Sequence, residues 1–563
     1  MIISTCLLLI SSTMTYFLVG MVLLVGFFVY QYFIKKWGPR PIDIIKESWG
    51  KVKKEEPYFD KIGIYWRFKK EIPFFELNDQ TAQDMDFKEL FSFVDRTSSR
   101  PGQQFLFNIL RRPTNKIEIL EDRNKKAAFF KENWEIRESV QMALLELNSF
   151  DSYYIPTLLI GRLREREAWF PLFYLDLILL FLLPLLAIKW HLFLLVALAL
   201  LAFNGFYFLL YNKEYTFQLS NSLLQLYILT EVCKKIAKMN IPFEKAVVLQ
   251  NAISLKNLQK KIRLINFGFD GNDQTDLGNI LVYFSELIKA IFLIDTFVLE
   301  GLVKDIQNNK GIILSLYEFI GEVDVSISIA SLQSGELAYC TPTLLEGGKT
   351  LKVRNLKHPL ISSCVGNDLE VHGKSVLITG SNMSGKSSFL RTLLVNTLLS
   401  QTLFTCFSDE YEAPFFQLLS SIRIDDNLFE GKSYYMAEVD VIGELVSKVI
   451  SPFQNLYILD EVFKGTNTLE RIAAGKAILS YLNKNNHMVF VATHDLELSD
   501  MLKSAYDLYH FTEDIHSNAL LFDHRLKKGP LKTTNALKIL EIANFPQEII
   551  QEAQKIRRIN SGS

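Results

Sequence analysis

The chain has 563 residues, which is enough for about three or four domains and a large hydrophobic core. Its 61 Lys and Arg residues nearly balance its 62 Asp and Glu residues. This balance excludes a protein whose entire surface is basic and binds nucleic acid by its net charge. The five cysteines form no C-x-x-C pair, which argues against a disulfide framework and a zinc site and fits a reducing compartment.

The first 34 residues carry no charged side chain, and residues 16–33 form an apolar run long enough to span a bilayer. Lys35 and Lys36 follow this run directly. A secretory signal peptide carries its positive charge before the apolar segment, so the pattern favours an uncleaved anchor whose C-terminal flank lies in the cytoplasm. We therefore predict a transmembrane anchor at residues 1–34 and a cytoplasmic linker at residues 35–79.

A second apolar region, residues 168–211, is interrupted by the short polar segment 189–191. This pattern predicts two transmembrane helices joined by a tight turn, at residues 166–212. Three arginines precede the hairpin and Lys213 follows it, so the positive-inside rule places both flanks in the cytoplasm. The sequence thus predicts three transmembrane helices, a multi-pass location in the cell (inner) membrane, and the lipid bilayer as a partner.

The predicted hairpin contains an acidic residue and an amide residue at similar depths. Asp176 lies 13 residues before Lys189, and Asn204 lies 15 residues after it. An acid inside a predicted span is either a functional group or part of a hydrogen bond that fastens the two helices together. The sequence leaves both interpretations open and favours the hydrogen bond, because two helices cannot enclose a pore.

Helical patterns dominate the chain on either side of the hairpin, at residues 80–165 and 213–346. We interpret these two stretches as the two parts of one mainly α-helical lever domain. Short β-type runs begin after Pro342 and introduce an α/β domain at residues 347–534. Residues 535–563 are predicted to be a C-terminal helical segment.

Residues 375–390 are typical of a buried strand, a loop bounded by glycines and the first turn of a helix. They satisfy the phosphate-loop pattern G-x-x-x-x-G-K-[ST], in which backbone N–H groups and the helix N-terminus face phosphate oxygens. Lys386 would reach the β- and γ-phosphates, and Ser387 would offer its hydroxyl group to Mg²⁺. The pattern predicts a site for ATP and Mg²⁺ whose nucleotide-binding residues are Gly380, Ser381, Asn382, Met383, Ser384, Gly385, Lys386, Ser387 and Ser388.

Two further apolar segments end in residues that suit nucleotide hydrolysis. Residues 455–461 end in Asp460, which is predicted to hold Mg²⁺, and Glu461, which is predicted to polarise the attacking water. A second buried strand ends at His494, which could sense the γ-phosphate or could be structural. We expect this strand to lie beside the one that carries Asp460.

Residues 431–438 predict the start of a helix, with Ser433 as a good N-cap and Glu438 one turn inside. Two interpretations are open. Ser433 could serve only as a cap, or it could offer its hydroxyl group to the γ-phosphate bound by a second subunit. The second interpretation predicts a composite active site.

The segments 380–388, 459–468 and 492–495 resemble the ATPase core of the MutS family of DNA mismatch-repair proteins, which is an ABC-type ATPase. The likeness extends over about residues 80–555, apart from the predicted hairpin. It implies a mainly α-helical lever domain followed by an α/β P-loop ATPase domain in the cytoplasm. It also implies a homodimer formed through the ATPase domains, with residues 535–563 as a dimerisation segment.

The resemblance also implies roles for the candidate site residues. Lys386 and Ser387 would bind phosphate and Mg²⁺, and Asp460 would coordinate Mg²⁺. Glu461 would be the general base of a Mg²⁺-dependent ATP hydrolase. His494 would be the switch histidine, and Ser433 would act in trans.

The sequence departs from the family pattern in several places. Ser381 stands where proline is usual, and Ser384 stands where glycine is usual, but the ligating positions are intact. No module corresponds to the mismatch-reading domain of the family, and the predicted hairpin stands where the family carries a DNA clamp. These departures leave ATP binding supported more strongly than mismatch recognition.

Two functions remain open from the sequence. The first is a membrane-anchored MutS-like ATPase that binds duplex or branched DNA in an ATP-dependent manner and switches its lever helices. The alternative is an ATP-driven membrane scaffold or mechanoenzyme that has lost DNA and mismatch binding. The motor of an ABC transporter is disfavoured, because no L-S-G-G-Q-type signature precedes Asp460.

Overall fold

The computed structural model of the chain describes residues 40–69, 73–160, 171–211, 215–265, 287–288, 290–381, 384–423, 434–463, 466–516, 519–531 and 545–561. The chain divides into two compact units, Met1–Trp49 and Gly50–Ser563. In the first unit, the described residues form the helix α1 (Pro41–Ser48), whose proline stands at the first helical turn, where its missing N–H group costs no hydrogen bond.

The second unit begins with a helical region. Its helices are α2 (Phe59–Phe68), α3 (Asp79–Asp84), α4 (Phe87–Val94), α5 (Arg100–Arg111), α6 (Ile117–Glu132), α7 (Trp134–Leu145), α8 (Ile155–Ile160), α9 (Pro171–Ala187), α10 (Leu192–Tyr211), α11 (Tyr215–Ala237), α12 (Lys245–Ser254), α13 (Lys256–Ile265), α14 (Ile294–Asn308) and α15 (Lys310–Gln333).

The long helix α15 forms the centre of this region, and residues 323–333 are all buried. It packs closely on α5, because a Cβ atom at Gly321 would overlap the ring of Phe105. The buried carboxylate of Asp324 accepts hydrogen bonds from the backbone N–H groups of Ser98 at 2.8 Å and Ser99 at 2.7 Å. These bonds satisfy donors at the N-terminus of α5, so α15 and α5 are joined by packing and by a polar contact.

The helices α9 and α10 form an antiparallel pair joined by a short turn. The Nδ2 atom of Asn204 donates a hydrogen bond to Oδ2 of Asp176 at 2.8 Å and another to the carbonyl oxygen of Ile291 at 3.0 Å. The predicted hydrogen bond between the two helices is therefore present. Apolar side chains on the pair are exposed, among them Leu185 and Phe206.

Across the described residues, no helix combines the length and the apolar character that crossing a membrane requires. Helix α9 has 17 residues, and 17 residues span only about 25 Å against a hydrocarbon core of about 30 Å. In the described part of the chain this finding contradicts the predicted transmembrane hairpin, so the prediction of three transmembrane helices is wrong, and so are the multi-pass membrane location and the bilayer partner that depended on it. The predicted anchor at residues 1–34 lies outside the described residues.

The α/β part of the chain contains three sheets. Its strands are β1 (Thr343–Leu345), β2 (Thr350–Leu356), β3 (Asn367–His372), β4 (Ser375–Thr379), β5 (Glu410–Pro414), β6 (Gln417–Ser421), β7 (Asn455–Asp460), β8 (Met488–Thr493), β9 (Tyr506–His510), β10 (Glu513–His516), β11 (Ala519–Phe522) and β12 (Lys527–Lys528). Its helices are α16 (Lys386–Ser400), α17 (Tyr434–Ser447), α18 (Thr468–Leu482), α19 (Leu496–Leu502) and α20 (Gln547–Ser561).

The main sheet has six strands in the order β12-β9-β4-β8-β7-β6. Its five longer strands are parallel, and β12 pairs antiparallel with β9. Every residue of β4, β7 and β8 is buried, which explains their uninterrupted apolar sequences. A four-stranded sheet, β1-β5-β2-β3, and the hairpin β10-β11 complete this part. The predicted combination of a helical part with an α/β part is therefore correct.

The helical region contacts the α/β part at two places, the end of strand β6 and the end of helix α16. The carboxylate of Asp84 accepts hydrogen bonds from the Ser420 hydroxyl group at 2.6 Å and from the backbone N–H of Arg423 at 2.8 Å, at the end of β6. On α6, the guanidinium group of Arg123 donates to the carbonyl oxygen of Thr402, just after α16, at 2.6 Å. These contacts join the helical region to the α/β part beside β6 and at the end of α16.

Candidate nucleotide-binding site

The phosphate-loop motif joins β4 to α16 as the sequence predicted. Gly380 has a φ of +151° and Gly385 a φ of +113°, which are values that favour glycine. A Cβ atom at Gly380 would also lie 2.9 Å from the carbonyl oxygen of Phe511, so a side chain does not fit there. The backbone can therefore curl tightly ahead of the helix N-terminus. Asn382 and Met383, two of the predicted nucleotide-binding residues, lie outside the described residues.

The Lys386 side chain is buried and turned back into the loop. Its Nζ atom donates hydrogen bonds to the carbonyl oxygens of Gly380 and Ser381, both at 2.8 Å, and lies 3.3 Å from Nε2 of His494. An ammonium group held at the mouth of a glycine-bounded loop is positioned to pair with phosphate oxygens. This is the position that the motif predicts for the phosphate-binding lysine.

The two departures from the family pattern contact each other. Ser384 is fully buried, and its hydroxyl group donates a hydrogen bond to the carbonyl oxygen of Ser381 at 2.8 Å. Ser384 does not adopt a positive φ, so it does not need to be glycine here. The hydroxyl group therefore ties the loop together without changing the glycines that shape it.

Ser387 and Asp460 meet where β4 and β7 end on either side of β8. The Ser387 hydroxyl group donates a hydrogen bond to Oδ2 of Asp460. A hydroxyl group beside a carboxylate is a donor set that suits Mg²⁺, which prefers hard oxygen ligands. Within the described ranges, no cluster of three or more His, Cys, Asp or Glu side chains could hold a metal ion. The pair of Ser387 and Asp460 fits a Mg²⁺ ion that takes further oxygen ligands from a bound nucleotide.

Glu461 and His494 follow two neighbouring strands and face each other. The Oε1 atom of Glu461 lies 3.1 Å from Nε2 of His494. The Glu461 backbone has a φ of +62°, and its N–H donates to the carbonyl oxygen of Ala492 on β8 at 2.9 Å. A non-glycine residue in this region is uncommon, and such backbone strain is concentrated at functional sites. The expected adjacency of the two strands is observed.

Ser433 lies in the range 424–433, outside the described residues. Helix α17 follows it and contains the predicted Glu438, which is buried. The structure thus brings Lys386, Ser387, Asp460 and Glu461 together with His494, while the role of Ser433 remains a prediction.

Sequence reasoning missed two contacts that support the site. Arg471 on α18 forms a bidentate ion pair with Asp495, with N–O distances of 2.9 and 2.7 Å. This ion pair fixes Asp495, the residue that follows His494. The Nδ1 atom of His524 lies 3.2 Å from the carbonyl oxygen of Ser384, although 140 residues separate the two in the sequence. No local pattern marks either contact, because each joins distant parts of the chain.

A cavity of about 370 Å³ opens in front of the loop. Its volume lies within the range of small-molecule sites. Polar groups of the phosphate loop, Asp460 and Glu461 line one part, and apolar side chains line another. The apolar part is formed by Leu356, Ile361, Val365 and Phe511. The cavity can therefore accept a ligand with a charged end and a weakly polar end.

Comparisons with known proteins match this region. Residues 376–559 match the family model described as MutS domain V. The DNA mismatch repair protein MutS of Pseudothermotoga lettingae is 29% identical over 269 residues, which cover 46% of this chain and 33% of that protein. The MutS protein of Thermus thermophilus is 29% identical over 241 residues, covering 42% and 29%. That of Lactococcus lactis subsp. cremoris is 27% identical over 302 residues, covering 51% and 35%. The chain thus spans about a third of the length of these curated relatives.

Proposed function

We propose that the chain, whose residues 376–559 match MutS domain V, is a Mg²⁺-dependent ATPase of the MutS family. The observation that carries the proposal is the meeting of Lys386, Ser387, Asp460, Glu461 and His494 at one edge of the parallel sheet. Ligands of open α/β sheets bind at this edge, beyond the carboxyl ends of the strands.

In this proposal the phosphate loop and Lys386 bind the phosphates of ATP, and Ser387 and Asp460 hold Mg²⁺. Bound Mg²⁺ neutralises charge on the phosphate oxygens. Glu461 orients the attacking water and accepts its proton. His494 lies between the Glu461 carboxylate and the Lys386 ammonium group and orients both. The apolar part of the cavity takes the base of the nucleotide.

We further propose that two chains form a homodimer through their ATPase domains. Ser433 of each chain would donate its hydroxyl group to the nucleotide bound by the other chain, which makes the active site composite. The match of residues 376–559 to MutS domain V supports this arrangement, because resemblance to that family implies a homodimer formed through the ATPase domains.

ATP-dependent binding of duplex or branched DNA completes the proposal, with mismatch repair as its setting. The relatives are DNA mismatch repair proteins by name, which supports this part of the proposal. The alternative of a membrane scaffold required transmembrane helices and is not retained. A DNA-binding measurement at rising salt tests this part: if about six phosphates are neutralised, affinity should fall steeply between low and physiological salt. No binding to duplex or branched DNA at low salt would refute it.

Hydrolysis is tested by phosphate release from ATP by the purified full chain, with Mg²⁺ and with EDTA. We expect turnover that requires Mg²⁺, because Ser387 and Asp460 provide oxygen ligands but no positive charge. Absence of any ATP turnover, with and without DNA, would refute the ATPase proposal.

A further inference from the structure

Two arginines share the carboxylate of Asp86, which belongs to the helical region. Arg423, which follows β6, has Nη1 2.5 Å from Oδ1 of Asp86 and Nη2 3.4 Å from Oδ2. Arg391 on α16 has Nη1 3.4 Å from the same Oδ2 atom. Asp86 and Arg391 are partly buried, with 31% and 19% of their side chains exposed, whereas Arg423 is exposed at 44%. One acid therefore balances two positive charges, and water screens the Asp86–Arg391 pair incompletely.

The backbone conformation of Asp86 is strained where its side chain meets the two arginines. Asp86 has a φ of +51°, in the left-handed region, and immediately precedes α4. An aspartate in that position usually caps its helix, but its side chain makes no capping hydrogen bond. Its carboxylate points to the arginines instead. Strained residues of this kind persist where the surrounding structure fixes them and are concentrated at functional sites.

Arg391 connects Asp86 with the candidate metal site. It stands one helical turn after Ser387 on α16, and Ser387 bonds Asp460. Burial lowers the pKa of the Arg391 guanidinium group, neighbouring Arg423 lowers it further, and the carboxylates of Asp86, Asp84 and Asp460 act against both. The helical spacing from Ser387, which bonds Asp460, therefore places the charge of Arg391 close enough to act on Asp460, the residue that would hold Mg²⁺.

The other titratable groups at this place do not replace Asp86. The carboxylate of Asp84 is engaged by the Ser420 hydroxyl group and by the backbone N–H groups of Ile422 and Arg423, and burial raises its pKa. Burial lowers the pKa of His358 to about 4, so this imidazole is neutral at physiological pH. Asp86 thus supplies the direct counter-charge of both arginines.

We propose that Asp86 is a positioning residue that links the helical region to the Mg²⁺-nucleotide site. This inference rests on the proposed ATPase function. With Asp86 in place, the charge of Arg391 is balanced and Asp460 keeps its full attraction for Mg²⁺. When the helical region moves Asp86 away, the unbalanced arginines oppose Mg²⁺ at Asp460. By linkage, bound Mg²⁺-ATP in turn favours the packing that keeps Asp86 against the arginines.

The test measures the dissociation constant of ATP with saturating Mg²⁺ and with EDTA, and takes the ratio of the second to the first. This ratio reports the contribution of Mg²⁺ to binding and does not depend on turnover. Asp86→Asn keeps the shape of the side chain and is compatible with a positive φ. It should lower the ratio by about threefold to tenfold, the scale expected for one partly screened charge at short range.

Variants of the arginines should act in the opposite direction. Arg391→Gln removes a positive charge near Asp460, so it should raise the ratio by a similar factor of about threefold to tenfold. Arg423→Gln leaves the Asp86 carboxylate to balance Arg391 alone, so it should raise the ratio as well. The double variant Asp86→Asn, Arg391→Gln should return close to the wild-type ratio. A purely structural role would instead make every one of these variants weaken ATP binding alike, whether or not Mg²⁺ is present.

Asp79→Asn is the matched control. Asp79 begins α3 in the same segment as Asp86, but its carboxylate pairs with Arg111 at 2.6 Å. This variant should leave the ratio unchanged. An unchanged ratio in Asp86→Asn and in Arg423→Gln, or a decrease in all the charge variants, would overturn the inference. Failure of the wild-type chain to bind ATP at all would instead refute the proposed function.

Discussion

The Nε2 atom of His494 lies 3.1 Å from Oε1 of Glu461, at the ends of two adjacent parallel strands. The same nitrogen lies 3.3 Å from Nζ of Lys386. His494 therefore contacts both the residue proposed to activate water and the residue proposed to bind phosphate. Because His494 contacts both groups, the orientation of the Glu461 carboxylate should depend on what Lys386 binds.

His494→Asn should lower kcat by about tenfold to hundredfold, because it loosens the Glu461 carboxylate without removing it. The dissociation constant of ATP should change by less than about threefold, since Lys386 keeps its bonds to the loop. Steady-state turnover and equilibrium ATP binding measure the two effects. An unchanged kcat would show that the histidine is only structural.

Lys386→Ala should weaken ATP binding by at least about tenfold, because it removes charge-assisted hydrogen bonds to phosphate. Equilibrium titration with ATP measures this loss. Lys374→Ala is the matched control: Lys374 precedes β4, is partly exposed and lies 3.7 Å from the Asp507 carboxylate, away from the loop. Equal ATP affinity in the two variants would remove Lys386 from the phosphate site.

Mixed dimers test the proposed role of Ser433. Ser433→Ala alone should lower ATP turnover by about tenfold to a thousandfold, the scale of losing one donor to developing charge. In a dimer of one Ser433→Ala chain and one Lys386→Ala chain, one complete site remains if the serine acts on the other chain's nucleotide. Such mixtures should recover turnover. If mixing restores nothing, Ser433 serves its own chain or acts only as a helix cap.

The buried Asp324 carboxylate should make the stability of the helical region depend on pH. Burial raises its pKa from 3.8 to about 6, despite the hydrogen bonds from Ser99 and Ser98. The folded state therefore binds this proton more tightly than the unfolded chain, so the unfolding free energy falls as pH rises from about 4 to about 6 and is level above.

The change between about pH 5 and about pH 7 should be about 1 kcal/mol for this group. Urea unfolding at the two pH values measures it. Asp324→Asn cannot titrate, so its unfolding free energy should lack this part of the pH dependence. The same pH dependence in variant and wild type would assign it to other groups.

Much of the candidate site could be predicted because its residues lie in short patterns. A glycine-bounded loop before Lys386 and an apolar strand before Asp460 encode their own local structure, and parallel packing brings their ends to one edge. The Asp86–Arg391 contact could not be predicted, because 305 residues separate the partners. Its formation depends on tertiary packing that leaves no periodic signal in the sequence.

The error about the membrane has a physical origin as well. The sequence predicted two helices and a turn within residues 168–211, and the structure has both helices, Pro171–Ala187 and Leu192–Tyr211. What the sequence did not determine is the number of residues in each helix. Helix α9 has only 17 residues. Hydropathy alone does not say how many residues become helical. The Asp176–Asn204 bond was predicted correctly because it needed only the turn position.

Glu461 is proposed to activate water for ATP hydrolysis at this site, and the variant Glu461→Gln isolates that role. ATP binding should remain within about threefold of wild type, while turnover of ATP should fall by at least about a hundredfold. Glu497→Gln, a change in an exposed glutamate on α19, should keep turnover near wild type. ATP hydrolysis by Glu461→Gln at close to the wild-type rate would contradict that role.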